Sequence, residues 1–294
     1  MQRTGFSLLA NAQRVPEILA CFRETEQWLP LTLAYLGLRP IAYPYELRLR
    51  TGQVATLRER TDLVIFWLVF ARRHYPVRPS DRVIIDVGAN IGLFTLYAAR
   101  QAPEAAIIAV EPFPDTRLSL LGLVERNGLS DRVTVLDCAV AGSSGTAVMD
   151  AAAGIPSQYR RIYSPTATTL NARHRGASAT SQNADGVPVH TKTLAEMLDS
   201  ANVSSADLVK MNIHGSEYEV LMSTPANSLQ RCKRIAVQYH ELPAHLHLGK
   251  EELFEHLRHI GFRLISERDT RRGSGFALLS LDRGGNVRVP GRAA

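Results

Sequence analysis

Polar and glycine residues alternate with apolar ones in one short stretch, Asp86-x-Gly88-x-Asn90-x-Gly92. Glycine tolerates a positive φ and lets the backbone approach a ligand closely, and asparagine is the next best residue in the left-handed conformation. The spacing therefore predicts a tight turn between Gly88 and Gly92 that can wrap around part of a small molecule. The carboxylate of Asp86 stands just before this turn, where it would repel a pyrophosphate but can help to hold an ammonium group.

The residues on either side of the turn have the pattern of a strand followed by a helix. Residues 83–85 are a short apolar run suited to a buried parallel strand, and residues 93–99 carry the apolar spacing of a helix. In parallel α/β sheets, ligands bind outside the carboxyl ends of the strands, which is where this turn would lie. The segment is therefore predicted to be a nucleotide-binding unit.

Carboxylates also follow the next two predicted strands. Residues 106–110 form an apolar run that ends at Glu111, and residues 133–136 form another that is followed by Asp137. A carboxylate at the end of the second strand can accept hydrogen bonds from both hydroxyls of a ribose, and one after the third can accept a hydrogen bond from the exocyclic amine of an adenine. Together with the ammonium site predicted at Asp86, these positions indicate S-adenosyl-L-methionine as the cofactor.

Two other interpretations of these residues remain open. A nicotinamide-binding Rossmann domain places a pyrophosphate over Gly-x-Gly-x-x-Gly, whereas Gly88 and Gly92 are separated by three residues and the first triplet has no second glycine. NAD also lacks the ammonium group that Asp86 would contact. The other interpretation is an ordinary tight turn of an α/β sheet, with Glu111 in solvent.

Five blocks of the sequence occur in an order and spacing that resemble the FkbM-type family of S-adenosylmethionine-dependent methyltransferases. The blocks are residues 57–75, 84–95, 109–114, 209–221 and 237–241, within a match that covers residues 43–281. The resemblance implies an α/β fold with the doubly wound, mostly parallel, seven-stranded, Rossmann-like sheet of class I methyltransferases. It also implies methyl transfer, often to a hydroxyl of a sugar, a polyketide or another secondary metabolite.

The sequence departs from the family pattern at the place where chemistry would occur. Where the family usually has Lys-x-Asp-x-Glu-Gly, this chain has Lys210, Asn212 and His214 at the polar positions, so both carboxylates are replaced. Relatives often carry an acidic residue two positions before the histidine of the last block, whereas Gln238 precedes His240 here. A carboxylate cluster for a hard metal ion is therefore not expected, and no metal site is predicted.

Four residues at these positions are candidates for the catalytic acceptor site: His214, Lys210, Asn212 and His240. His214 can act as general base, because an imidazole with an ordinary pKa of about 6.5 accepts a proton at neutral pH. Lys210 can attract an anionic acceptor or pair with Glu217, and His240 is expected at a strand end beside the acceptor. Methylation of an amine, which needs no base, remains an alternative, as does a cofactor-binding module without turnover.

Length and composition indicate one catalytic domain. The chain has 294 residues, of which 45% are hydrophobic, and it can bury one large core. We predict an N-terminal helical extension over residues 1–42, whose helical spacing ends near Pro30, and a methyltransferase domain over residues 43–294. Residues 140–190 are rich in small and polar residues, and we expect a hairpin or loop insertion there that lies over the acceptor site.

Charge, cysteine content and hydropathy restrict the partners and the compartment. The formal net charge is +6, but the basic residues are scattered rather than gathered into one stripe, so nucleic acid is not an expected partner. Cys21, Cys138 and Cys232 are far apart and form no CxxC pair, which fits a reducing cytoplasm. The strongest apolar run, residues 63–71, is too short to span a bilayer. We therefore expect a soluble cytoplasmic protein that acts on a small-molecule acceptor, without a membrane partner and with its oligomeric state open.

Overall fold

Strands and helices alternate through most of the chain in the computed structural model, which describes residues 14–150, 162–163, 186–241, 248–270 and 274–282. Its helices are α1 (Val15–Glu24), α2 (Trp28–Tyr35), α3 (Arg60–Phe66), α4 (Leu93–Gln101), α5 (Pro114–Arg126), α6 (Leu194–Ser200), α7 (Ser216–Ser223), α8 (Ala226–Leu229) and α9 (Lys250–Ile260). Its strands are β1 (Tyr45–Arg48), β2 (Val54–Leu57), β3 (Val83–Val87), β4 (Ala106–Val110), β5 (Val133–Leu136), β6 (Ala139–Val140), β7 (Gly145–Asp150), β8 (Ile162–Tyr163), β9 (Gly186–Lys192), β10 (Leu208–Met211), β11 (Arg234–Tyr239), β12 (Phe262–Asp269) and β13 (Gly275–Leu281). None of these helices is both long and apolar enough to cross a membrane.

A seven-stranded sheet forms the centre of the fold, in the spatial order β12-β13-β11-β10-β3-β4-β5. Strands β5, β4, β3, β10 and β11 run parallel to one another, whereas β13 is antiparallel to both β11 and β12. This order confirms the predicted doubly wound, mostly parallel α/β sheet. Strand β10 is buried along its whole length because helices cover both faces of the sheet.

Successive side chains of a strand enter different cores. In β3, Ile84 belongs to the core that includes α4 and α5, whereas Ile85 and Val87 belong to the core that includes α6, α7 and α9. Because both faces of the sheet are covered in this way, a ligand can approach it at the carboxyl ends of the parallel strands.

Strands β12 and β5 form the two edges of this sheet. Strand β12 is exposed along most of its length, including Leu264 and Ile265. Its pairing with β13 shifts register between Leu264 and Ser266, as happens where a strand contains a bulge.

The predicted insertion after β5 contains a second, smaller sheet. Its four strands have the order β6-β9-β7-β8, and β7 is antiparallel to both β9 and β8. Ala147, Met149 and Val189 of this sheet pack with Phe113, which follows β4. The composition of this segment does not predict these strands, because small residues such as Ala147 occupy their buried positions. Residues 151–161 and 164–185 of the insertion lie outside the described residues.

A π-helical turn, Trp67–Ala71, continues α3. The ring of Trp67 is fully buried and stacks on Tyr35 of α2, with 4.2 Å between the ring centroids. Its Nε1 donates a hydrogen bond to Glu17 Oε2 of α1 at 2.7 Å. Helices α1 and α2 therefore hold a turn of a kind that is rare and that often occurs at functional sites.

The described part of the N-terminal segment contains two helices, and the second continues past Pro30, near which the helical spacing of the sequence ends. Helix α2 begins at Trp28 and carries Pro30 in its first turn, where the missing N–H would have no helical partner. Helix α1 is tied to later segments by Glu24, which is 5% exposed and forms ion pairs with Arg73 and Arg100. The first described helix thus packs directly on the elements around the central sheet.

We expect Gly92→Ala to destabilise the protein by about 2 kcal/mol, and Gly122→Ala to be neutral or to stabilise it by about 0.5 kcal/mol. Gly92 has a φ of 92°, which strains any residue with a Cβ, and a Cβ there would lie 2.6 Å from Leu120 Cδ1, so the buried side chain of Leu120 would have to shift. Gly122 lies within α5 with no atom within 4 Å of its Cβ position. Urea unfolding of both variants measures the difference, and equal stabilities would contradict this packing.

Candidate functional site

A cleft opens at the carboxyl ends of β3, β4 and β10, where the chain order of the sheet reverses. About 920 Å³ of space free of protein atoms lies in this cleft, part of it open to solvent. Its lining includes Ile65, Leu68, Val69, Tyr75, Gly88, Asn90, Glu111, Phe113, Cys138, Ala139, Lys210, Asn212 and His214.

The turn after β3 has the left-handed conformations that the sequence predicts. The φ angle is 74° at Gly88, 51° at Asn90 and 92° at Gly92. The backbone N–H of Gly88 donates to the carbonyl of Val110 at 3.1 Å, which fixes the turn to the end of β4. A Cβ at Gly88 would lie 2.4 Å from the carbonyl oxygen of Asn212, so the ends of β3 and β10 can approach this closely only at a glycine.

Asp86 does not line the cleft; it is fully buried and holds Lys210. Its Oδ1 lies 2.8 Å from Lys210 Nζ, and its Oδ2 accepts a hydrogen bond from the hydroxyl of Thr95 at 2.7 Å. Lys210 Nζ also donates to the carbonyl of Gly88 at 2.7 Å. Lys210 therefore supplies an ammonium group that Asp86 contacts. Glu217 pairs with His240 rather than with Lys210. The predicted contact of Asp86 with a cofactor stays a prediction.

Glu111 lines the cleft at the end of β4 and is 7% exposed. Its Oε2 accepts a hydrogen bond from the backbone N–H of Asn90 at 2.8 Å, and its Oε1 accepts from the N–H of Phe113 and the hydroxyl of Thr116, each at 2.9 Å. Burial raises the pKa of Glu111, although these hydrogen bonds act in the opposite direction. The carboxylate ties the glycine-rich turn to the start of α5 and keeps a lone pair for a ligand hydroxyl.

Asp137, which is predicted to contact an adenine, lies outside the cleft lining. Its side chain is 62% exposed and forms an ion pair with Arg117 of α5 at 2.5 Å. Cys138 and Ala139 line the cleft instead. Gly92 is also outside the lining, and it supports the site through the packing of α4 on α5.

Asn212 and His214 line the cleft from the loop between β10 and α7. This loop turns sharply, since His214 and Gly215 have φ angles of 57° and 103°. A positive φ is uncommon for histidine, so the surrounding fold holds this side chain at the cleft against a conformational cost. Asn212 Oδ1 is buried and has no hydrogen-bond partner among the described residues. A donor on a ligand can satisfy this atom.

Glu217 is a fully buried carboxylate that the sequence analysis did not place at the site. Its Oε1 accepts a hydrogen bond from the N–H of Ile213 at 2.8 Å and lies 3.1 Å from His240 Nδ1, and its Oε2 accepts from the N–H of Gly215 at 2.6 Å. Burial opposes ionisation, but attraction to His240 and His214 and the hydrogen bonds outweigh it and hold the pKa of Glu217 below its ordinary value. The sequence feature that could have predicted this role of Glu217 is its position as an acidic residue in the first turn of a helix, where backbone N–H groups lack helical partners.

His240 is brought next to His214, with 5.1 Å between the ring centroids, but it is not part of the cleft lining. Gln238 Nε2 lies 3.5 Å from His240 Nε2, and Gln238 Oε1 accepts a hydrogen bond from the hydroxyl of Tyr75 at 3.1 Å. Burial holds the pKa of Tyr75 well above its ordinary value, so this hydroxyl stays neutral. A chain of polar contacts therefore connects Glu217 to Tyr75 at the cleft.

The acidic side chains around the cleft form ion pairs or hydrogen bonds with other groups of the protein. Asp86 contacts Lys210, and Glu111 and Glu217 accept hydrogen bonds from backbone N–H groups. Within the described ranges, no group of three or more His, Cys, Asp or Glu side chains is arranged to hold a metal ion.

The sheet order with its reversed β13 and the cleft at the carboxyl ends of β3, β4 and β10 are those of the class I methyltransferase fold. The family model of the methyltransferase FkbM domain matches residues 86–264. The chain therefore belongs to the FkbM methyltransferase family, which confirms the family that the sequence blocks indicated.

Two similar proteins are named as methyltransferases. Methyltransferase sdnD of Sordaria araneosa is 28% identical over 178 residues, which cover 54% of this chain and 67% of that protein. The 31-O-demethyl-FK506 methyltransferase FkbM of Streptomyces tacrolimicus is 25% identical over 225 residues, which cover 68% of this chain and 79% of that protein. Among solved structures, TYW2 of M. jannaschii in complex with AdoMet is 15% identical with a TM-score of 0.41, over 81% of this chain and 86% of that one.

We expect Glu217→Gln to lower the free energy of unfolding by about 2 kcal/mol at neutral pH and by much less near about pH 3. The pKa of Glu217 is below its ordinary value of 4.5 in the folded protein. The stability that its charge supplies is therefore complete above the unfolded value and is lost as the pH falls through the folded value. Urea unfolding at both pH values measures the effect.

The control is Glu104→Gln, because the Glu104 side chain is 74% exposed and 3.8 Å from Arg82. This variant should match the unmodified protein at both pH values. A loss of stability in Glu217→Gln that stays constant as the pH falls would show that the charge of Glu217 is not what stabilises the loop.

Proposed function

We propose that this protein transfers a methyl group from S-adenosyl-L-methionine to a hydroxyl of a small molecule. The observation that carries the proposal is the buried carboxylate of Glu111, which lines the cleft beside the turn at Gly88. Membership of a methyltransferase family supports the reaction class. A relative named as a 31-O-demethyl-FK506 methyltransferase supports oxygen as the accepting atom and a secondary metabolite as the acceptor.

The residues of the cleft fit this cofactor. Glu111 can accept a hydrogen bond from a ribose hydroxyl through its remaining lone pair. The orphaned Oδ1 of Asn212 is suited to an ammonium donor of the amino acid moiety, the role predicted for Asp86. Phe113 and Ala139 provide apolar surface for an adenine ring. When bound, this cofactor supplies a methyl group on a sulfonium centre.

The protein's own contribution is alignment and proton removal. Transfer from a sulfonium is an in-line displacement whose leaving group needs no acid, so positioning can supply roughly 7 kcal/mol or more of the barrier reduction. His214 lines the cleft and can accept the proton of an acceptor hydroxyl as the bond to carbon forms. Lys210 fixes the turn at Gly88 and does not attract an anionic acceptor, since Asp86 neutralises its charge.

Glu217 and His240 support this base. The carboxylate of Glu217 attracts both imidazoles and directly contacts that of His240. A proton taken up by His214 is therefore balanced by a negative charge that is held nearby by backbone N–H groups. In this arrangement His214 contacts the acceptor, whereas Glu217 and His240 act through it.

A cofactor-binding module without turnover is the second candidate function. The replacement of both family carboxylates by Asn212 and His214 is the observation that favours it. Methylation of an amine is a third possibility, because an amine that arrives neutral needs no base. The acceptor experiment below separates these three functions.

Calorimetric titration with S-adenosylmethionine and S-adenosylhomocysteine tests the cofactor. We expect both compounds to bind, and we expect Glu111→Ala to weaken binding by up to about a hundredfold, because one hydrogen bond to a charged group contributes up to about 3 kcal/mol. Asp137→Ala is the matched control and should change the affinity by less than about twofold, since Asp137 lies outside the cleft lining. Absence of binding by the folded protein would contradict the proposed cofactor.

His214→Asn tests the base, because asparagine tolerates the left-handed conformation but cannot accept a proton at neutral pH. With an alcohol acceptor, we expect turnover to fall by about a hundredfold or more while cofactor affinity is retained. The control is His259→Asn at an exposed position of α9. Turnover is measured as release of S-adenosylhomocysteine over a panel of alcohols and amines.

Each outcome of this panel selects one function. Full activity of His214→Asn towards alcohols would exclude His214 as the base. Methylation of amines alone, unaffected by the substitution, would favour N-methylation. Cofactor binding by the unmodified protein without turnover of any acceptor would favour the binding module.

A further inference from the structure

One wall of the cleft consists of the aliphatic side chains of Ile65, Leu68 and Val69. Ile65 belongs to α3, and Leu68 and Val69 belong to the π-helical turn that continues it. This wall comes from the segment before the central sheet, whereas the residues proposed to contact the cofactor come from the ends of its strands. The wall is therefore a separate structural unit of the site.

The cofactor proposed above has its contacts elsewhere in the cleft. Its polar groups require partners such as Glu111 and Asn212, and its adenine has apolar surface at Phe113 and Ala139. The aliphatic wall offers no hydrogen-bonding side chain, so it suits a part of the bound ligands that is made of carbon. The carbon skeleton of an acceptor is a part of this kind.

The charges of the cleft favour an uncharged acceptor. Among the described residues that line it, the acidic and basic side chains other than His214 are Glu111 and Lys210. Lys210 is paired with Asp86 at 2.8 Å, and Glu111 accepts three hydrogen bonds from the protein. Among these described side chains, a charged acceptor would lose its hydration without gaining an ion pair in return.

The wall is held from outside by the N-terminal helices. Glu17 Oε2 accepts a hydrogen bond from Trp67 Nε1 at 2.7 Å, and Glu17 Oε1 accepts from Arg72 Nε at 2.9 Å. One carboxylate thus binds the first residue of the π-helical turn and the residue that follows its last. Tyr35 of α2 stacks on Trp67 with the ring planes 7° apart. Because Leu68 and Val69 lie between these two held residues, the position of the wall depends on α1 and α2.

We propose that this wall is the acceptor subsite, that it takes an uncharged alcohol with an apolar carbon skeleton, and that Glu17 is a positioning residue that acts on it through Trp67. Leu68 is the specificity-determining residue that touches the acceptor. The inference rests on the proposed function and names the substrate class of the same site. It requires that changes at Leu68 or Glu17 alter acceptor binding without altering cofactor binding.

Trp67 provides a spectroscopic readout that does not depend on methyl transfer. The chain has two tryptophans, so Trp28→Phe leaves Trp67 as the single fluorophore. This protein, saturated with S-adenosylhomocysteine, is titrated with three ring alcohols: tert-butylcyclohexanol, hydroxycyclohexanecarboxylate and inositol. We expect the apolar alcohol to bind at least about tenfold more tightly than the carboxylate or the polyol. Calorimetry detects any binding that leaves the emission of Trp67 unchanged.

The substitutions locate the subsite and test its support. Leu68→Ala and Glu17→Gln should each weaken binding of tert-butylcyclohexanol by about fivefold or more and leave the affinity for S-adenosylhomocysteine unchanged. The matched controls are Leu121→Ala, an exposed leucine of α5, and Glu26→Gln, whose side chain is 83% exposed; neither should change any affinity. If Glu17→Gln does not fold, the variant Tyr35→Leu, which removes the stacking on Trp67, is compared with the controls in its place.

Failure of this inference is distinguishable from failure of the proposed function. Binding of S-adenosylhomocysteine by the unmodified protein is measured first, and absence of this binding would contradict the proposed cofactor. With cofactor binding intact, the inference is overturned if tert-butylcyclohexanol does not bind, or if the carboxylate binds as tightly. It is also overturned if Glu17→Gln binds tert-butylcyclohexanol as tightly as Glu26→Gln does.

Discussion

The ion pair between Lys210 and Asp86 is the interaction on which the rest of the site depends. The two residues are register partners on the adjacent strands β10 and β3, and the same ammonium group binds the carbonyl of Gly88. A buried pair of this kind contributes little net stability, because desolvation offsets most of the attraction, whereas removal of one partner costs about 3–5 kcal/mol. Its importance here is geometric. It fixes the glycine-rich turn against the strand that leads to Asn212 and His214.

Parallel strands explain why residues that are distant in sequence meet at this pair. Asp86 and Lys210 are separated by 124 positions, yet both lie at the carboxyl end of the sheet because their strands run in the same direction. Strand β4, on the other side of β3, ends at Glu111, and the chain order reverses between β4 and β10. The cleft opens at this reversal, as the general rule for such sheets requires. The carboxyl ends of these strands therefore carry the groups proposed for both ligands.

Features that depend on local pattern were predictable from the sequence, and features that depend on a distant partner were not. Strand β4 is a continuous apolar run, and Glu111 follows directly from its end. Asp137 follows another strand in the same way, but Arg117 of α5 forms an ion pair with its carboxylate outside the cleft, and the strand pattern does not encode that choice. The π-helical turn depends likewise on the contact of Trp67 with Glu17, 50 positions earlier.

The bulged edge strand β12 has a consequence for how copies of this protein behave in concentrated solution. An open sheet edge presents unpaired N–H and C=O groups that can template a strand of another molecule, and exposed Leu264 and Ile265 would favour such growth. The register shift at Leu264 and Ser266 disrupts the regular edge, and a strand that paired there would have to desolvate the charged side chains of Arg263 and Glu267. The opposite edge, β5, is only four residues long. The sheet is thus protected at both ends against aggregation through strand addition.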